Sequence, residues 1–203
     1  MIERKAVYYG KVELIPGIVC DGYVLDDETA VMSERGTADL LGMNHKALQG
    51  MATTGIPKRL NPFIDKDFIM ATTLVKVTAK GSPYEGRKIT VYNSYIIESL
   101  MRAYTMALGN KVLQKNQMHI GLRCVLLLSA LVRTALEASI KQACGLSPNI
   151  QQIAQKNYID AVKLIKDFGF TCSVDDDIAI KSENPSVING TTNRSVARGS
   201  LKK

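Results

Sequence analysis

The amino-acid sequence predicts an α+β protein. A β-rich N-terminal half carries a helix-turn-helix-like insertion, and a helical C-terminal half holds three main helices. Three observations carry this reading. Up to Asn93, short apolar and β-branched stretches alternate with Pro-Gly and Gly-Ser-Pro turns. From Ser94 the apolar residues fall at helical spacing. From Thr171 they thin out among Ser, Asn, Thr and Gly. Residues 1–170 therefore read as one domain, β-rich over 1–93 and helical over 94–170. Residues 171–203 read as a polar tail, extended or ordered on binding.

The elements follow in order. Val7, Tyr9, Val12 and Leu14 form a first strand, turned by Pro16-Gly17 into a second from Ile18 to Leu25. The acidic turn Asp26-Asp27-Glu28 leads to a short strand through Ala30, Val31 and Met32. Ser33 is placed to cap a helix that runs through Leu41 and ends at Gly42. A second short helix covers about 44–51. Pro57 and Pro62 mark a loop around Arg59 and Leu60. Phe68 to Val77 reads as a strand, and Gly81-Ser82-Pro83 with Gly86 turns it into Arg87 to Tyr92. The three helices are expected over 94–108, over 112–143 with Gly121 as a point of interruption, and over 148–168. Ser147 is the expected cap of the last, with Pro148 in its first turn. That helix would bury Ile150, Ile153, Ala154, Ala161, Val162, Ile165 and Phe168.

Of the 203 residues, 46% are hydrophobic and 22% charged, which excludes wholesale disorder. The longest apolar run, Cys124 to Val132, falls short of the ~18 residues a membrane span needs and reads as a buried helix face. Glu3, Arg4 and Lys5 have no apolar stretch behind them, so a signal peptide is not expected. Cys20, Cys124, Cys144 and Cys172 are far apart, form no CxxC pair and are joined by only His45 and His119. Free thiols in a reducing compartment, the host cytoplasm, and no metal are the expectation.

The net charge of +7 is local. Residues 1–101 hold 12 basic and 12 acidic side chains, and residues 167–203 hold 5 of each. Residues 102–166 hold 9 basic side chains against Glu137 and Asp160. A concentrated excess of this kind points to an anionic partner.

Two constellations could use it. From Glu34 to Thr53 the chain has helix-turn-helix spacing: Ala38, then Gly42 for the turn, with Leu41, Met43, Leu48 and Met51 to pin the helices. The second helix would present Asn44, His45, Lys46 and Gln49 to base edges or phosphates. Against it, Gly36 and Gly50 sit inside the helices at about 1 kcal/mol each, and two small packing helices would look the same. The second constellation is a stripe on the long helix. Lys111, Lys115, His119, Arg123, Arg133, Glu137 and Lys141 fall within an arc of roughly 120° at helical spacing. Such a stripe suits a phosphate backbone or an acidic protein surface, and equally the solvated face of a core helix. Lys156 and Lys163 have Asp160 and Asp167 four residues on and largely pair themselves.

Catalytic motifs are missing: no Gly-rich phosphate loop, no GxSxG and no HExxH. Asp26-Asp27-Glu28 and Asp175-Asp176-Asp177 lack the further spaced ligands of a cation site. His45 has no carboxylate or thiol nearby in sequence to orient it. No enzyme activity and no cofactor are expected.

Several segments resemble the N-terminal region of a phage and prophage family named after its C-terminal domain, P-sixty-three-C. They are Val24-Leu25-Asp26-Asp27, Val31-Met32-Ser33 with Arg35-Gly36 and Leu41-Gly42, and Asn61-Pro62-Phe63-Ile64. Glu85-Gly86, the helix from Ser94, Gln117 to Ile120 and Gly145 continue the likeness, which covers about residues 8–150 in order. The family closes its long helix with Asp-Glu-Ala-Thr-Gly, where this chain has Lys141-Gln142-Ala143-Cys144-Gly145. In place of the family's C-terminal domain stand the helix from Pro148 and the tail. The resemblance implies a mobile-element origin and a likeness to phage regulators and antirepressors. The expectation is thus a nucleic-acid-binding regulator. The runner-up is an anti-defence inhibitor that binds a host protein or ribonucleoprotein which handles nucleic acid. The partner is nucleic acid or an acidic protein surface rather than a membrane, and a second copy of the chain is a further candidate.

Overall fold

The computed structural model describes residues 3–167 and has mixed α/β architecture with a β-rich N-terminal region. Phe168, Cys172, Asp175-Asp176-Asp177 and the polar tail expected from residue 171 lie outside the described residues. Five strands, β1 (Lys5–Ile15), β2 (Ile18–Leu25), β3 (Ala30–Ser33), β4 (Thr73–Val77) and β5 (Lys88–Asn93), close into a barrel in the order β1-β2-β3-β5-β4. Neighbours are antiparallel except at closure, where β1 meets β4 in parallel through Lys5↔Lys76 and Ala6↔Val77. Nothing local in the sequence announces this pairing, because its two strands are joined by most of the N-terminal half. β4 begins five residues later than expected from Phe68. Its partner β5 offers ladder positions only opposite Thr73 to Lys76.

Strand alternation divides the molecule into two cores. Inside the barrel lie Ala6, Tyr23, Leu25, Val31, Val75, Val77 and Val91. The alternate residues Met32 and Tyr92 point outward into a larger core shared with the helices. α1 (Glu34–Leu41) lies against β2. A Cβ on Gly36 would come within 3.1 Å of the Asp21 amide and 3.2 Å of Cys20 Cβ, so glycine allows this close approach without a shift of β2. Ser33 caps α1 by accepting from the Gly36 amide at 3.1 Å. Gly42, at φ 69°, ends it in a left-handed turn.

α2 (His45–Thr54) is anchored by buried Leu48 and Met51, and Asn44 caps it. α3 (Ser94–Gly109) is capped by Asn93. The expected long helix is shorter at its start: α4 runs over Met118–Ala143. Lys111 takes a left-handed φ of 58°, while the Lys111 and Val112 amides donate back to Leu108 and Ala107. Those bonds close α3 and make a continuous helix from Val112 impossible. Gly121 does not interrupt α4. It lets α4 cross α3, since a Cβ there would sit 2.7 Å from Leu113 Cδ1 and 3.0 Å from Leu108 Cβ.

α5 (Ile150–Asp167) packs antiparallel to α4. Asn149, rather than Ser147, caps its first turn by accepting from Gln152 at 3.2 Å. α5 buries Ile153, Ala154 and Val162 as expected, and half-buries Ala161 and Ile165. Ile150 is instead 57% exposed, because it precedes the stretch that faces α4 and the barrel. Among the described residues one helix, Lys115–Ala143, is long and apolar enough to cross a membrane, with 44% of its apolar window buried inside the protein.

Candidate nucleic-acid interface

The short helix α2 stands where its sequence placed it, with one side on the core and one side open. Its proposed reading residues are partly occupied, however. Asn44 Oδ1 accepts from the Lys46 amide at 2.9 Å, and Gln49 Nε2 donates to Glu34 Oε1 at 2.7 Å, tying α2 to α1. His45 is half-buried and Lys46 exposed. The capping bond orders the helix start, but it takes the Asn44 oxygen away from any base edge.

The stripe of cations does not survive as a stripe. Lys111 lies in the turn after α3 and Lys115 in a 3-10 turn, Lys115–Gln117, ahead of α4. Arg123 is buried, because it shares the helix face of Ile120, Cys124, Leu127 and Ala130. Its Nη1 donates to the Asp39 carbonyl at 3.0 Å, and its guanidinium lies where a Cβ on Gly42 would stand. His119 Nε2 donates to the Gly42 carbonyl at 3.0 Å. Both side chains therefore serve the C-terminus of α1, whose last carbonyls carry partial negative charge. They tie α1 to α4, Arg123 from a buried position and His119 from an exposed one. Lys141 donates to Glu137 at 2.6 Å, and this bond holds the Glu137 carboxyl below the ordinary glutamate range, helped by Lys156 and Asn157. Only Arg133 remains on α4 as an exposed cation without a carboxylate partner among the described residues.

What the fold does instead is bring α2 and residues 116–120, around the start of α4, together to line one cleft of about 560 Å³. Asn44, Ala47, Gly50 and Thr54 line it on the α2 side, and Asn116, Gln117 and His119 on the α4 side. Arg59 crosses from the 57–60 loop to the Val112 carbonyl at 3.1 Å, fixing that loop beside Lys111. Lys46, Lys58, Lys111 and Lys115 are all exposed, and none has a carboxylate within ion-pair distance among the described residues. Lys58 and Arg59 are absent from the sequence-based set. The adjacent Pro57 marks a loop, and loop residues have no periodicity from which to infer a face.

A second groove, of about 490 Å³, crosses the outside of β1–β3 over the paired Gly10 and Gly22. It is walled mainly by Tyr8, Val12, Val24 and Ile97, with Lys11 its one cation. Among the described thiols, Cys20 and Cys124 are buried and pushed up to about 12, chiefly by desolvation, whereas Cys144 is exposed. The buried pair are therefore inert packing residues at neutral pH. Searches of protein-family models, curated proteins and solved structures find no match to this chain.

Proposed function

We propose that this chain is a nucleic-acid-binding regulator of a phage or related mobile element, acting in the host cytoplasm without catalysis. The observation that carries the reading is that exposed Lys46, Lys58 and Lys115, without carboxylate partners among the described residues, directly adjoin the cleft-lining Ala47, Pro57 and Asn116, while the Arg59–Val112 bond keeps Lys111 near the 57–60 loop. Unneutralised cations at one edge suit a phosphate backbone, whose binding releases condensed counterions. The α1–α2 pair is the helix-turn-helix-like part of this reading, with α2 the element that approaches a groove. Its bonded Asn44 and Gln49 leave Lys46 as its freest polar side chain, so phosphate contact dominates and base reading is weak. The resemblance to the P-sixty-three-C family agrees with this origin.

That same weakness in base reading favours a second proposal, an anti-defence inhibitor whose basic rim meets an acidic surface on a host nucleic-acid-handling protein. Duplex-binding titrations against salt separate the two. A regulator binds a plain duplex at low salt, and Lys111→Glu with Lys115→Glu weakens every duplex alike. The salt slope flattens by roughly one unit for each lost phosphate contact. No duplex affinity at low salt overturns the first reading. Nuclease-resistant copurification with a host protein then supports the second.

A further inference from the structure

α4 is apolar on two opposite faces. One face, through Ile120, Cys124, Leu127 and Ala130, is buried within the fold. The other runs through Val132, Leu136 and Ile140, four residues apart, which are 61%, 62% and 64% exposed. The Leu146 amide donates to the Lys141 carbonyl across Gly145, a closure that folds Leu146 back toward the last turn of the helix. Leu146 and Ile150 remain 60% and 57% exposed at the same end of the hairpin.

We propose that this face is where two copies of the chain associate. At roughly 100 Å² of exposed apolar surface each, the five side chains offer about 500 Å². A standard interface removes about 800 Å² per partner, a little over half of it apolar, so the patch supplies the apolar part of one stable dimer. Its chemistry selects the occupant. Ala135, Ser139 and Ala143 fill the spaces between the large residues, and no charge interrupts the row. Nucleic acid finds no cation there beyond Arg133 at its margin. A second copy presents the same neutral surface, which avoids the repulsion that a chain of net charge +7 would meet elsewhere on itself. The small residues let two helices approach closely, and an α4–α5 hairpin from each copy completes a four-helix arrangement. α5 itself ends at the opposite end of the hairpin. The Asn157–Thr134 hydrogen bond sets the register, so Asp167 lies level with Cys124 rather than with Ile140.

Sedimentation velocity on the full chain, from about 1 to 200 μM, tests this independently of nucleic-acid binding. The expected result is a dimer that persists at high salt, as an apolar interface should. Leu136→Asp is expected to raise the dissociation constant at least about a hundredfold with the melting of the dilute protein unchanged. Ile140→Asp repeats the test at a second exposed site. A wild type that stays monomeric throughout overturns the proposal. A dimer indifferent to both substitutions also overturns it, as does recovery of the protein in the membrane fraction.

Discussion

Each half of α4 carries a row of large apolar residues at helical spacing, and the two rows have opposite fates. Residues 120–130 are enclosed by α1, α3 and α5, and even their cation, Arg123, is drawn inside to serve the end of α1. Residues 132–143 rest against α5 and leave Val132, Leu136 and Ile140 in solvent. The apolar run Cys124 to Val132, read as one buried face, straddles this divide: Leu127 is 1% exposed and Val132 61%. Helical periodicity states which residues share a face. Coverage of that face is a tertiary property, decided by where other elements run out.

The largest effect that tests this contrast comes from truncating matched leucines. Leu127→Ala should cost about 2–5 kcal/mol in a urea titration, from lost transfer energy plus a cavity. Leu136→Ala, measured at submicromolar concentration, should stay within about 0.5 kcal/mol. Equal losses would mean that the two halves share one core, and the contrast would collapse.

A smaller effect is expected from the two arginines. Arg123→Leu removes the donor to the Asp39 carbonyl and the packing over Gly42, and should cost about 1–3 kcal/mol. Arg133→Leu touches an exposed side chain and should leave stability within about 0.5 kcal/mol. If the two variants unfold alike, Arg123 does not lock α1 to α4.

Local chemistry was the legible part of this fold. Ser33 and Gly42 bracket α1 because a cap and a left-handed stop depend on a few adjacent residues. The same holds for the β1–β2 hairpin at Pro16-Gly17. Barrel closure was hidden, since Lys5 and Lys76 meet through a fold-wide constraint with no local signature. The start of α4 was missed because Lys111 adopts a backbone conformation that sequence reading reserves for glycine or asparagine. The same conformation bears on the site: Lys111 and Lys115 lie in irregular turns before α4 and so leave the helical stripe. Arg123 was misplaced for a different reason. At helical spacing it lies on the margin between the charged and apolar arcs, and only the position of the α1 terminus decides which way it faces.

The smallest effect concerns what joins the exposed half of α4 to α5. Apart from apolar contact, the seam holds Asn157 donating to Thr134 Oγ1 at 3.1 Å, and the Glu137–Lys141 pair beside it. The Glu137 carboxyl lies below its ordinary value of 4.5, first through the hydrogen bond from Lys141 and then through its charge and that of Lys156. A carboxylate whose folded value is depressed stabilises the protein above the unfolded value, and that contribution fades as pH falls through the folded one. Glu137→Gln should therefore leave the protein slightly less stable than wild type from neutrality down to about pH 5, with the gap closing in stronger acid. Both side chains are more than 30% exposed, at 33% for Glu137 and 40% for Lys141, so water and salt screen the pair and the gap is small. Urea titrations at a series of pH values read it. If wild type and variant coincide at every pH, the pair contributes nothing, and the open half of α4 is held by apolar contact and the Asn157–Thr134 bond alone. A gap that instead widens as pH falls would reverse the sign and remove Lys141 as the group that governs Glu137.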